Sequence, residues 1–216
     1  DRGVTGTTDW KRCEINLEVP ADATNINFGA IHSGDGSAWF DGLSVTVDGE
    51  PYQEKAKFDL EFESSSPVGF YTGGHGYQVR LDKRFVQSGN QSLLMRYAPP
   101  PPIPNGGGVA SASFPAGSAA GKRVRLSGYI KTREVSQGFA GLWLRIDGPS
   151  GVLAFNNMED RGVTGTTDWE RYEIELPVAV EATRVVFGAL LPANGTGWFD
   201  SLKLEVAGAA YPGSEN

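Results

Sequence analysis

The stretch GLWLRI, residues 141–146, decides the fold class of this 216-residue chain. In an extended strand its leucine and isoleucine side chains share one face, while Trp143 and Arg145 share the other. This alternation is typical of a strand that presents one face to a core and the other to solvent. The stretch therefore predicts β-structure rather than a helix.

Similar short alternating runs recur along the chain and are separated by turn-forming residues. The chain contains 29 Gly and 13 Pro, which suit many tight turns and few helices. No segment carries a convincing 3.6-residue period. We therefore predict an all-β antiparallel sandwich. The other runs are residues 77–81, 92–97, 124–130, 151–155, 171–176, 184–190 and 198–206.

An internal repeat sets the domain organisation. The string DRGVTGTTDW occurs at residues 1–10 and again at 160–169, and residues 1–52 align with 160–211 without a gap at about half identity. The segment between them, about residues 56–159 and here called the front half, occurs once. Repeats of this kind must be settled before any other inference about the fold.

The repeat predicts one complete domain and one surplus piece. Residues 1–55 form a C-terminal half-copy, residues 56–212 a complete domain, and residues 213–216 a tail. A domain of about 155 residues can bury a sizeable core, whereas 55 residues alone would be marginal.

The half-copy carries alternating apolar residues such as Ile15, Leu17 and Val19. Left exposed, they would form a large apolar patch. Three arrangements are open: the half-copy packs on the complete domain, it pairs with the half-copy of a second chain, or residues 1–52 displace residues 160–211 from the sandwich. We expect a homodimer that forms through residues 1–52.

Charge and composition exclude two classes of partner. The net charge is −7 and the isoelectric point is near 4.9, which argue against nucleic acid because phosphate contacts need clustered Lys and Arg. No apolar run approaches the length of a membrane span. We therefore expect neither a nucleic-acid partner nor a membrane partner.

Several segments together resemble one family. The opening strand and turn, FDLEFE at 58–63 and PVGF at 67–70, and the closing run GWFDSLKLEV at 197–206 resemble those of jelly-roll, galactose-binding-like carbohydrate-binding modules of bacterial multidomain proteins. The middle runs VRLSGYIKT and GLWLRIDGPSGVLAFNNMEDR are similar to segments of the same modules. The resemblance implies a jelly-roll sandwich, a polysaccharide or oligosaccharide partner, and an extracellular or periplasmic location.

The resemblance also implies a structural calcium ion where the first strand meets the last. The acids at matching positions are Glu61, Glu63 and Asp200. Calcium prefers six to eight oxygen ligands, so these carboxylates with loop carbonyls would form a suitable shell. The alternative is that they are ordinary acids at strand ends.

A sugar-binding surface needs an aromatic platform and hydrogen-bonding groups. The alternation places suitable residues opposite the Leu and Ile core positions. The alternative for the aromatic members is that they cover the sheet beneath a loop or contact the half-copy. The predicted ligand-binding residues are Trp143, Tyr129, Arg145, Arg125 and Asn157.

These observations favour a noncatalytic carbohydrate-binding module. The alternative is a structural or protein-interaction sandwich that dimerises through the surplus half-copy. A small metal-assisted hydrolase is the weaker alternative, because His32 and His75 lie in Gly-rich loops without zinc-type spacing and no catalytic motif is present.

Overall fold

The computed structural model describes residues 3–20, 29–51, 57–98 and 107–212. The chain divides into two units, residues 1–52 and residues 53–216. The first unit contains two short strands among its described residues, and the second contains the sandwich.

The second unit is built from antiparallel strands, which confirms the predicted all-β fold. A single 3-10 turn (Ala116–Ser118) is the one helical element among the described residues, and no helix there could cross a membrane. The strands of this unit are β3 (Tyr71–Gly73), β4 (Tyr77–Asp82), β5 (Ser92–Tyr97), β6 (Gly108–Pro115), β7 (Arg123–Gly148), β8 (Gly151–Asn156), β9 (Val163–Pro177), β10 (Arg184–Leu191), β11 (Asn194–Val206) and β12 (Ala209–Ala210).

One long strand, β7, belongs to both sheets of the sandwich. Its second part pairs with β10 and β8 in sheet I, which has the order β3-β6-β10-β7-β8. Its first part pairs with β11 and β9 in sheet II, which has the order β4-β5-β11-β7-β9, and β12 adds to β11. The second copy of the repeat supplies β9 to β12, so it completes the sandwich around the front half.

β7 passes from one sheet to the other through an irregular segment. Glu134 and Gln137 adopt positive φ angles, and Gly138 has a φ of 146°. A Cβ at Gly138 would collide with the carbonyl of Pro192, so only glycine fits there. The pairing of β7 with β9 and β11 shifts register in the same region.

The two sheets enclose one apolar core. β7 contributes Leu126 and Ile130 from sheet II and Leu142 and Leu144 from sheet I, and all four are fully buried. The alternating residues between them therefore lie on the outer faces of the two sheets. Phe187 packs edge-to-face against Phe58 at 5.0 Å, joining sheet I to the segment that opens the domain.

The first unit retains one pairing of its twin in the second copy. β1 (Thr46–Val47) and β2 (Glu50–Pro51) form a hairpin in the register that Glu205 and Val206 adopt with β12. The rest of residues 3–20 and 29–51 contains no strand. Apolar side chains there are exposed although their twins are buried: Trp39 is 75% exposed, and Trp198 only 3%.

Candidate functional site

The outer face of sheet I carries the strongest cluster of aromatic and polar side chains. Register places Gly188 beside both Ser111 and Trp143, and Ser111 beside Tyr71, so these four positions lie in a row across four strands. A neighbouring row contains Phe155, which pairs with Arg145. Two of the predicted ligand-binding residues, Trp143 and Arg145, belong to this face, and Asn157 directly follows β8.

The Trp143 side chain lies low on this face. Its indole N–H donates a hydrogen bond of 3.4 Å to the carbonyl of Ala110, and a Cβ at Gly188 would approach the indole nitrogen to 3.2 Å. The indole therefore extends across β10 into space that the glycine leaves open. Phe155 packs against it edge-on at 6.5 Å, and the residue is 9% exposed. This indole forms part of the floor rather than a projecting platform.

Tyr71 is an exposed aromatic that the sequence analysis missed. It is 70% exposed, and its ring lies over Gly73, where a Cβ would come within 2.8 Å of the phenolic oxygen. Because residues two apart share a face, the glycine gives the ring room to lie along its own strand. The signal in the sequence was the Tyr-x-Gly spacing in a short alternating segment.

The space between Tyr71 and Trp143 is lined by small residues. Three inter-strand spacings separate β3 from β7, so the backbones at Tyr71 and Trp143 lie about 14 Å apart, and the indole spans part of this distance because it reaches across β10 to the Ala110 carbonyl. Between them lie Ser111 and Gly188, which project little above the backbone. We call this strip, from Tyr71 across to Trp143 and Phe155, the sheet I trough.

Polar groups border the trough on its β7 and β8 side. The Arg145 guanidinium forms an ion pair of 2.8 Å with Asp147 and lies 5.9 Å from the centre of the Trp143 ring. The Asn157 side-chain oxygen accepts a hydrogen bond from the Glu159 backbone N–H at 3.1 Å, which leaves its amide N–H groups as donors. The edge thus offers donors for hydroxyl groups.

The other two predicted ligand-binding residues lie on the opposite side of the sandwich. Tyr129 and Arg125 occupy the outer face of sheet II, where register pairs Tyr129 with Arg171 and Arg125 with Glu175. Arg125 forms an ion pair of 2.8 Å with Glu175, and this contact raises the pKa of the guanidinium. One ligand could not contact all five residues, because the core separates the two faces.

Two of the three predicted metal ligands are electrostatically coupled. Asp200 is fully buried; burial is the main cause that raises the pKa of its carboxyl, and the charge of Glu61 raises it further. Three backbone N–H groups, of Gln87, Ser88 and Ser201, donate hydrogen bonds to the Asp200 carboxylate and oppose this shift. Asp200 forms no ion pair with a residue that the structure describes.

The third predicted ligand, Glu63, has a different role. Its carboxylate accepts hydrogen bonds from the backbone N–H groups of Asn90 and Gln91 and from the Asn90 side chain. The hydrogen bonds from Asn90 are the main cause that lowers the pKa of Glu63. Within the described residues no three His, Cys, Asp or Glu side chains converge. The charge of Glu61 thus acts on Asp200, while Glu63 fastens the loop of residues 83–91.

Comparison with known proteins supports the fold. No family model matches the chain. A xylan-binding domain of carbohydrate-binding module family 22 is similar in structure, with a TM-score of 0.52 and 18% sequence identity over 69% of this chain and 93% of that domain. A tandem of two such modules from Paenibacillus barcinonensis Xyn10C gives a TM-score of 0.50 at 18% identity, over 76% of this chain and 49% of the tandem. The sandwich thus has the fold of carbohydrate-binding modules.

One curated protein is similar in sequence. The HTH-type transcriptional regulator YbfP of Bacillus subtilis (strain 168) is 34% identical over 164 residues, which are 76% of this chain. The chain spans about half of that protein, 52% of its length. Because the described residues contain strands and one 3-10 turn, no helix-turn-helix lies within them.

Proposed function

We propose that the chain is a noncatalytic carbohydrate-binding module and that a polysaccharide or oligosaccharide binds in the sheet I trough. The observation that carries the proposal is the flat, exposed ring of Tyr71 beside a strip of small residues. An aromatic ring that lies along a sheet can stack on the apolar face of a sugar. Arg145 and Asn157 stand at the other side of the trough as donors to hydroxyl groups.

The shape of the trough favours a chain of sugars over a single ring. It crosses four strands, and the low-lying indole of Trp143 forms part of its floor beside Ser111 and Gly188, which project little. The similarity in fold to xylan-binding domains supports the same class of ligand. Xylan is therefore the first probe to use, within a wider glycan array.

The test is calorimetric titration of the full chain with the glycans that the array selects. Tyr71→Ala should weaken binding about two- to tenfold, because an aromatic contact contributes about 0.5–1.5 kcal/mol. Trp10→Ala is the matched control, since Trp10 is also largely exposed but lies in the first unit. Equal affinity of Tyr71→Ala and the unchanged chain, or loss of affinity in both variants, would contradict the proposal.

A second candidate function follows from the sequence match to a transcriptional regulator. In such a protein the module would sense a saccharide rather than hold an enzyme near its substrate. The match covers 76% of this chain, and no helix-turn-helix lies among the residues that the structure describes. Glycan binding that changes DNA affinity in the whole regulator, and is lost in its variant at the Tyr71 position, would support this role.

We also propose that Asp200 and Glu61 hold a structural calcium ion. The two carboxylates fit a cation because Asp200 is buried without an ion-pair partner among the described residues and lies near a like charge. Loop carbonyls would supply the remaining ligands. Bound there, the ion would neutralise the two acids and stabilise the sandwich. Glu63 is left out of this set because its carboxylate is held by Asn90 and Gln91 of the loop, whereas the charge of Glu61 acts on Asp200.

For the first unit we retain the proposal of a homodimer through residues 1–52. Ile15, Leu17 and Trp39 are 80%, 83% and 75% exposed, and apolar groups of this size are normally covered. The same surface of a second chain has a matching pattern of apolar residues and could cover these side chains. Light scattering coupled to size-exclusion chromatography should give twice the chain mass; a mass of one chain at all concentrations would contradict the proposal.

A further inference from the structure

A second surface, on the outer face of sheet II, combines aromatic rings with positive charges. It lies on the far side of the core from the sheet I trough. We call it the Phe85 surface. Its members are Phe85, Trp198, Arg84, Arg96, Lys131 and Arg133.

Trp198 anchors this surface. It points outward from β11 because its neighbour Phe199 points into the core. The indole N–H donates a hydrogen bond of 2.8 Å to the buried Asp82 carboxylate. The Phe85 ring packs on the indole with a centre-to-centre distance of 4.8 Å. These contacts therefore fix the two aromatic rings in place on the outer face of the sheet.

The loop that carries Phe85 is fastened at several points. Asp200 accepts hydrogen bonds from the backbone N–H groups of Gln87 and Ser88. The Ser92 hydroxyl donates a hydrogen bond of 2.7 Å to the carbonyl of Phe85 itself. These contacts position the half-buried ring before any ligand arrives.

Three cations surround the Phe85 ring. The Arg133 guanidinium lies 4.9 Å from its centre and 5.4 Å from the Trp198 ring. Lys131 and Arg84 lie at 5.8 and 5.9 Å from the Phe85 centre. Arrangements of this kind are favourable cation–π contacts, and they hold positive charge close to an apolar face.

Most cations on the sandwich form ion pairs, and within the Phe85 surface Lys131 does so with Asp168 at 2.7 Å, but its three arginines form none with the described residues. Arg125, Arg145 and Arg171 each form an ion pair with a nearby acid. Arg84, Arg96 and Arg133 are exposed and form no ion pair with any described residue. On a chain of net charge −7 this local excess of positive charge is unusual.

Register brings two of the unpaired arginines to one place. Thr196 of β11 pairs with Arg96 on one side and with Arg133 on the other, so the two arginines flank it on the same face. Their backbones are separated by two inter-strand spacings, about 10 Å. Two arginines whose backbones have this spacing can bind separate carboxylates, and each guanidinium can do so with two parallel hydrogen bonds.

We propose that the Phe85 surface binds an acidic saccharide, a polysaccharide that carries uronic acid carboxylates. The inference deepens the proposed function, on which it depends in taking a saccharide as the ligand class. The guanidinium groups of the arginines bind the carboxylates, and the exposed part of the Phe85 ring packs against the apolar side of a sugar. The net charge of −7 opposes general attraction of polyanions, so spaced carboxylates suit this local patch better than a dense phosphate backbone.

The experiment compares polygalacturonate with its fully methyl-esterified form, because the two share the same sugar backbone and esterification replaces each charged carboxylate by a neutral methyl ester. The full chain should bind the free acid and not the ester, and added salt should weaken binding. Arg133→Gln and Arg96→Gln should each reduce affinity about tenfold or more, the effect expected when a charge-assisted hydrogen bond is lost. Arg171→Gln, an exposed arginine elsewhere on the same face, should leave affinity unchanged.

Each variant also separates this inference from the function proposed for the trough. Tyr71→Ala should retain polygalacturonate binding, and Arg133→Gln should retain binding of the neutral glycan, because the core lies between the two surfaces. Equal binding of acid and ester would overturn the proposal. Binding of double-stranded DNA as tight as that of polygalacturonate would also overturn it, since the patch would then be a general polyanion surface.

Discussion

The two copies of the repeat permit a test of which copy completes the sandwich. Trp198 and Trp39 occupy equivalent positions, yet one is buried and the other largely exposed. We therefore compare Trp198→Phe with Trp39→Phe in the full chain. The substitution is chemically the same in both, so any difference in the free energy of unfolding reports the environment alone.

The magnitude for Trp198→Phe follows from its contacts. The variant loses the hydrogen bond to Asp82, whose side chain is 6% exposed and keeps only Arg80 at 3.6 Å as a partner. Loss of a buried hydrogen bond to a charged group costs about 1.5–3 kcal/mol, and a smaller ring against Phe85 adds to this. We expect a total of about 2–4 kcal/mol. Trp39→Phe should change the free energy by less than about 0.5 kcal/mol.

The assay is urea unfolding followed by far-ultraviolet circular dichroism. With a slope of about 2 kcal/mol per molar urea, the Trp198→Phe midpoint should fall by about 1–2 M, whereas the Trp39→Phe midpoint should not move. The measurement belongs at low chain concentration, where dimer formation contributes least. A larger loss in Trp39→Phe than in Trp198→Phe would refute the assignment of the second copy to the sandwich.

Three further predictions concern stability. Glu61→Gln should raise the melting temperature in EDTA and abolish the rise in melting temperature that calcium produces. Glu63→Gln should lower the melting temperature both in EDTA and in calcium, because it loses hydrogen bonds that hold the loop. An equal response to calcium in the unchanged chain and in both variants would contradict the ion site. Because the folded-state pKa of Asp200 is raised, metal-free stability should fall as pH rises through that pKa, and the difference curve against Asp200→Asn, which removes the titrating carboxyl, should isolate the effect. Gly188→Ala should destabilise the fold, since a Cβ there meets the Ala110 carbonyl, while the equivalent Gly29→Ala should be neutral in the same melts because its position is open.

Local sequence decided some elements of this structure by itself. The hairpin turns at Asp48 and Gly49 and at Ala207 and Gly208 have positive φ angles at both central residues. Both copies form this turn although much of the surrounding sequence has diverged. The alternation of Leu142 with Trp143 likewise predicted which face of β7 enters the core. Such features depend on residues that are close together in the sequence, so a local sequence pattern can predict them.

Other features depend on residues far apart in the chain. The string VTGTTDW forms the start of β9 at residues 163–169, yet the same string at residues 4–10 contains no strand. Pairing with β7 makes the difference, and no local pattern encodes it. The Trp143 indole lies close to the sheet because Gly188 leaves space for it and the Ala110 carbonyl accepts its hydrogen bond, and both residues belong to other strands. The five predicted ligand residues lie on two different faces because β7 passes from one sheet to the other. The alternation of their side chains could not indicate that change of sheet.

The order of the two copies along the chain has a consequence for synthesis in the cell. The first copy leaves the ribosome before the front half, and the second copy follows it. At about 5–20 residues per second, residues 160–211 need about 3–10 seconds to appear, whereas hairpins form in about 1–10 μs. During that interval residues 1–52 are available to the nascent front half, whereas residues 160–211 are not. The structure, with β9 to β12 supplied by the second copy, therefore requires either that early pairing fails or that the later copy replaces the earlier one by strand exchange.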